Sequence, residues 1–277
     1  MTGQFVLGLL LSGVVGGLGY WRQALTLSGV VGAVLVGTLI FGFGGWVWGL
    51  VLITFFVSSS WLSHYRRAEK EAVADKFAKG SRRDLGQALA NGGLGAVLAV
   101  VFARFPDPLF FAAFLGAVAT VNADTWATEL GILSRVPPRL VTTGKVVPPG
   151  TSGGVTRLGI WASLAGALLI GAMATALTQI GSLFGGNHWQ LQAISYPLLA
   201  IAGGFAGSLF DSLLGATVQR IYYCDRCRKE TESPVHHCGQ PTRPLRGWPW
   251  LNNDVVNFAA SLLGGLVAAS FAWLLWR

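Results

Sequence analysis

Charge is scarce in this chain. Asp, Glu, Lys and Arg make up 12% of its 277 residues, about half their share in water-soluble domains. With 52% hydrophobic residues beside them, a soluble globule is excluded. The apolar runs also lack period-two alternation, which excludes a membrane β-barrel. Three cysteines, all within one short stretch, cannot supply a disulfide framework. No G-K-[ST] follows the glycine-rich stretch near residue 150, so there is no Walker A loop.

What remains is a series of long apolar runs, and these predict an all-α, polytopic helical membrane protein forming one integral membrane domain over 1–277. Spans are predicted near 4–20, 28–44, 46–62, 86–104, 109–133, 158–180, 195–218 and 252–275, eight in all. The first run has no basic n-region and no convincing small-residue cleavage site, so it is read as a span rather than a signal peptide. No plastid-type transit segment precedes it, which points to a bacterial or cyanobacterial plasma or thylakoid membrane.

The net charge of +8 is mainly topological. All of the 20 Lys and Arg except Arg104 and Arg277 fall in the loops at 21–27, 63–85, 134–157 and 219–251. Eight alternating spans put these loops on one side, and the positive-inside rule makes that side cytoplasmic with both termini outside. The partners expected are therefore the bilayer and anionic small molecules, not nucleic acid. A homodimer is left open.

Against this apolar background the intramembrane acids stand out, because an ionised group in a bilayer costs at least ~2.5–3.5 kcal/mol on insertion scales. Asn122, Asp124, Thr125 and Glu129 lie in N-A-D-T-W-A-T-E-L, with Asn122, Thr125 and Glu129 on one helical face. Asp211 and Ser212 share a face on the 195–218 span, and Asn253, Asp254 and Asn257 open the last span. The alternating topology brings Asp124, Glu129, Asp211 and Asp254 to a similar inner-leaflet depth. Carboxylates and amides from three helices form the oxygen-rich shell that Mg²⁺ prefers. The alternative for the amides and hydroxyls is interhelical hydrogen bonding.

Two loops add phosphate-binding chemistry. In the 134–157 loop, Gly150, Gly153 and Gly154 permit close backbone approach, while Thr151 and Ser152 offer hydroxyls and Lys145 a point charge. The loop feeds a helix N-terminus, a favourable place for a phosphate. The basic loop at 63–85, expected to hold a short amphipathic helix, ends in Lys79, Arg82 and Arg83, a candidate clamp for anionic head groups or nucleotide phosphates. In a third loop, 220–250, Cys224, Cys227 and Cys238 with His236, or His237 in its place, form a four-ligand set suited to structural Zn²⁺. A redox C-x-x-C is the alternative, but it leaves the histidine and the third cysteine without a role.

Four segments resemble signature stretches of the integral membrane phytyl-phosphate kinase family. They are N-A-D-T-W-A-T-E-L-G, T-T-G-K-V-V-P-P-G-T-S-G-G-V, G-S-L-F-D-S-L-L-G-A-T-V-Q and L-N-N-D-V-V-N-F. The resemblance runs from about Gly80 onward. It implies transfer of a phosphoryl group from CTP to phytyl phosphate, or a related prenyl monophosphate, to form the diphosphate used for tocopherol and phylloquinone side chains. It further implies Mg²⁺ at Asp124, Glu129, Asp211 and Asp254, with Lys145 and the glycine loop on the triphosphate. The rival readings are a cytidylyltransferase forming a CDP-lipid, an ion-coupled secondary transporter, and a scaffold whose zinc loop binds a partner.

Overall fold

The apolar runs become helices, and the polar residues between them set the ends. The computed structural model describes residues 2–70, 82–183 and 190–277. Helix α1 (Thr2–Trp21) is followed by α2 (Leu27–Leu39), which continues through a π-helical turn at Ile40–Gly44. Gly45, at φ +92°, breaks the chain before α3 (Trp46–His64). A short turn, α4 (Arg67–Lys70), precedes α5 (Leu85–Arg104) and α6 (Pro108–Gly131). The chain continues through β1 (Arg139–Leu140), β2 (Gly154–Val155), α7 (Arg157–Leu183), α8 (Gln190–Ala193) and α9 (Tyr196–Thr217). Strands β3 (Ile221–Cys224), β4 (Lys229–Thr231) and β5 (Arg243–Arg246) then lead to α10 (Asn253–Leu275).

Eight of these helices are long and apolar enough to cross a membrane, and their limits agree with the predicted spans to within a helical turn. The caps are local and chemical. Asp84 and Gln87 form a reciprocal capping box at the start of α5. Asp107 accepts from the Leu109 amide with Pro108 in the first turn of α6, and Asn252 accepts from the Val255 amide to open α10.

Helix α6 is the axis of the bundle, packed by α3, α5, α7, α9 and α10. Lipid is as apolar as leucine, so close helix approach depends on small side chains and hydrogen bonds rather than on hydrophobic burial. Gly116, Gly203 and Gly264 meet where α6, α9 and α10 cross, and a Cβ on Gly264 would collide with Thr120 Oγ1. Thr120 Oγ1 itself donates to Gly116 O (2.9 Å) and lies 3.2 Å from Gly203 O. This locked crossing holds the polar ends of the three helices together.

The all-α expectation needs one correction. Strands β1 and β2 pair antiparallel across the base of the glycine-rich loop, and β4-β3-β5 form a three-stranded sheet that carries the cysteines. The β-branched and aromatic residues of Ile221–Tyr223 favour strand pairing. Of the helix expected in 63–85, the described part is α4 alone; Lys79 lies outside the described residues.

Candidate active site

A cavity of about 280 Å³ opens at the end of the bundle where the loops after α3, α6 and α9 meet. Helix α6 contributes Asp124 and Thr125, α9 contributes Ser208, Asp211 and Ser212, and α10 contributes Asn253 and Asn257. Asp124 accepts a hydrogen bond from Ser208. Asp211 lies within electrostatic reach of Asp124 and of Glu232, and its Oδ2 is buried with no hydrogen-bond partner. A buried carboxylate oxygen left unpartnered beside two other acids is costly in isolation. A cation is the ligand that would relieve it.

The glycine loop forms a further part of the wall. Gly150 (φ +74°), Thr151, Ser152, Gly153 (φ +82°) and Gly154 all line the cavity. At Gly153 a Cβ would stand 2.5 Å from the Ala216 backbone nitrogen, so only glycine lets the loop lie against the end of α9. Ser152 Oγ donates to Gln219 Oε1 (2.8 Å), and Gln219 Nε2 donates to Glu232 Oε1 (2.9 Å). Glu232 is a lining residue that the sequence reading missed. It sits in a polar loop, where an acid carries no signal of depth, and only its closeness to the cysteine knuckle marks it.

One expected acid is engaged by other side chains, and several expected residues are placed elsewhere. Glu129 borders the cavity, but Ser63 Oγ donates to its Oε1 (2.6 Å) and Lys70 Nζ to its Oε2 (2.6 Å), so both oxygens are engaged. Lys70 is itself buried and also donates to Leu62 O (2.6 Å). Asn122 is fully buried between helices, accepting from Ser58 (3.0 Å) and donating to Gly166 O (2.8 Å), and it does not line the cavity. Arg82 turns away to Leu25 O and the Tyr20 ring. Lys145 is exposed on the β1–β2 loop, because the bond from Leu140 N to its carbonyl (2.9 Å) directs that turn outward. Asp254 lies in the first turn of α10 but not on the cavity wall. The convergence of acids is therefore Asp124, Asp211 and Glu232.

Arg83 supplies the cavity's fixed cation. Burial pulls its guanidinium down to about 10 while Glu129 opposes the shift, so it stays charged at neutral pH. Because Lys70 neutralises Glu129, replacing it by methionine (Lys70→Met) leaves a carboxylate unpaired. A loss of about 3 kcal/mol is expected, read as a lower thermal midpoint in detergent.

The cysteine loop holds a second, distinct cluster. Ligand atoms of Cys224, Cys227, His236 and Cys238 all lie within 4.8 Å of one another, and no other such group of three or more occurs among the described residues. Cys224 Sγ and Cys238 Sγ are 3.7 Å apart, matching the edge of a tetrahedron with Zn–S bonds of about 2.3 Å. Donor identity and spacing thus fit Zn²⁺. His236 is the histidine that joins this cluster; His237 is exposed. The Gln240 backbone, then His236, draws the Cys238 thiol down to about 6, favouring the thiolate that binds metal.

Comparison with known proteins places the chain. Protein PGR of Arabidopsis thaliana is 32% identical over 274 residues, covering 94% of this chain and 93% of its own. An uncharacterized membrane protein of Methanocaldococcus jannaschii is 31% identical over 245 residues, covering 88% and 84%. Protein VTE6, chloroplastic, also of Arabidopsis thaliana, is 28% identical over 250 residues, covering 88% and 64%. No solved structure matches. The family model described as integral membrane protein DUF92 matches residues 10–265. The chain belongs to the DUF92 family of integral membrane proteins.

Proposed function

We propose that this protein is a kinase of prenyl monophosphates that transfers the γ-phosphoryl group of CTP to phytyl phosphate or a close relative. The observation that carries the reading is the buried, unpartnered Asp211 oxygen within reach of Asp124 and Glu232, in a cavity that a glycine loop also lines. The resemblance of the four signature segments to phytyl-phosphate kinases supports the substrate class. The acids lie at the polar end of the bundle, which favours an enzyme over an ion pathway built at mid-membrane.

Asp124 and Asp211 would hold Mg²⁺, with Glu232 adding negative charge nearby; when bound, the ion neutralises charge on the β- and γ-phosphates. Arg83 and the glycine-loop amides fix the anionic reactants, so that positioning and electrostatics supply most of the catalysis. An oxygen of the acceptor phosphate attacks the γ-phosphorus, the bond from that phosphorus to the β–γ bridging oxygen breaks, and CDP leaves. The acceptor is already an anion, so no strong general base is required. The basic loops favour a cytoplasmic position for this end of the bundle.

Purified protein in detergent, given labelled CTP, Mg²⁺ and phytyl phosphate, is expected to yield CDP and phytyl diphosphate. Release of pyrophosphate with a CDP-lipid would instead make it a cytidylyltransferase, and no nucleotide turnover would reject both. Lys145→Ala, at an exposed turn off the cavity, is expected to keep kcat within about twofold, since surface changes away from such features are mild. A hundredfold loss would restore the lysine to the triphosphate.

A further inference from the structure

Beside the polar cavity runs a second, apolar slot of about 80 Å³ between α1, α2, α3 and α5. Val36, Phe55, Phe56, Ala88 and Gly92 are among its walls. Arg83, Gln87 and Asn91 line both spaces and so form the partition between an ionic compartment and a hydrocarbon one.

The partition is built to hold its place. Arg83 N donates to Ala24 O (2.9 Å) and Thr26 N donates to Arg83 O (2.9 Å), stitching this residue to the turn between α1 and α2. Gly29 allows the approach, since a Cβ there would collide with Arg83 O. The guanidinium lies over the Phe55 and Phe56 rings (5.5 and 5.8 Å) and donates from Nη1 to Ser60 Oγ (3.0 Å). Next to it, Asn91 Oδ1 is buried with no hydrogen-bond partner. A half-turn of that amide offers its NH₂ to an anion instead.

A charged fork and a buried amide on the wall of an apolar slot select an amphiphile with a compact anionic head and a slender tail. A free phosphate would leave the slot unused, and a neutral lipid would bring no anion to Arg83 and Asn91. We propose that Arg83, Gln87 and Asn91 hold the phosphate of the prenyl monophosphate acceptor, with the tail carbons nearest the head group in the slot between α1, α2, α3 and α5. This assignment rests on the kinase reading for the identity of the substrate. It brings the acceptor in from the α5 side, across the partition from the Asp124–Asp211 pair.

The test is photo-crosslinking of the purified full-length protein with a geranylgeranyl monophosphate that carries a diazirine on its first isoprene unit. Labelled peptides from α1, α2, α3 or α5 are expected, displaced by unlabelled prenyl monophosphate. Prenyl alcohol, inorganic phosphate and phosphatidic acid should not displace them. Arg83→Gln should cut the labelling about tenfold. Ala88→Leu, which fills the slot without touching the head-group site, should raise the KM for the C20 acceptor about tenfold and leave the KM for CTP unchanged. Label on α7, α9 or α10, no displaceable label, equal displacement by phosphatidic acid, or an unaltered acceptor KM in Ala88→Leu would each overturn the assignment. Displaceable label in the slot, without diphosphate product from the wild-type protein, keeps the site and removes the kinase reaction.

Discussion

Asp211→Asn is expected to lower kcat by about 10²–10³-fold, the scale of removing one preorganised electrostatic group from a reaction centre, while the protein remains folded. The substitution keeps side-chain shape and removes only the charge. Asp211 Oδ2 is buried without a partner, and the side chain lies within electrostatic reach of Asp124 and Glu232. In the metal-free protein that charge is a liability, so the asparagine variant should unfold at the same temperature or a higher one. Loss of activity together with unchanged or increased stability is the signature of a working acid rather than a structural one. Asp124→Asn should behave alike. Kinetics and thermal unfolding on the same preparations check the pair; kcat within threefold of wild type in either variant would remove that residue from the site.

Cys224→Ser is expected to do the opposite, striking stability first. Cys224 ends β3, is fully buried, and shares its cluster with Cys227, His236 and Cys238. Structural Zn²⁺ contributes on the order of 10 kcal/mol to small zinc folds, and a serine hydroxyl is a poor substitute for thiolate. The variant should fall from about one zinc per chain to well below that, with the thermal midpoint lowered by about 10 °C or more. Helix content should change little, since the eight long helices pack without the loop. Activity should fall as a consequence, because Gln219 and Glu232 are held on the cavity wall by the same loop. Glu232→Gln separates the effects: it should lower kcat while zinc content and midpoint stay at wild-type values. A zinc-free preparation as stable as the loaded one would reject the structural role.

How much of this was legible beforehand follows from where each residue lies. The helices were readable because lipid forces apolar runs of fixed length, and Asp84, Asp107 and Asn252 mark ends with their caps. Asp124 and Asp211 stood out for the complementary reason, that an acid within such a run has few structural excuses, and the fold brings both to the cavity wall. That logic did not foresee that Glu129, on the cavity wall, is paired with Lys70, because the lysine comes from a loop whose path no periodicity constrains. It over-read Asn122, whose amide joins α6 to α3 and α7. Lys145 was a motif residue whose direction depends on the β1–β2 register, two residue pairs long and silent in the pattern. Glu232 was invisible because depth has no meaning for a loop until the loop is folded against the bundle. The cysteine cluster, by contrast, is written in spacing alone, and only geometry brings His236 rather than His237 into it.

The most direct test of the central claim uses Mn²⁺ in place of Mg²⁺. Electron–nuclear double resonance on the purified protein with Mn²⁺ and CTP is expected to show phosphorus couplings from a protein-held metal–nucleotide complex. In Asp124→Asn and Asp211→Asn that signal should weaken at least tenfold at the same concentrations. Couplings of wild-type intensity in both variants would mean that the triphosphate and its cation are bound somewhere other than between α6 and α9, and the account would fail.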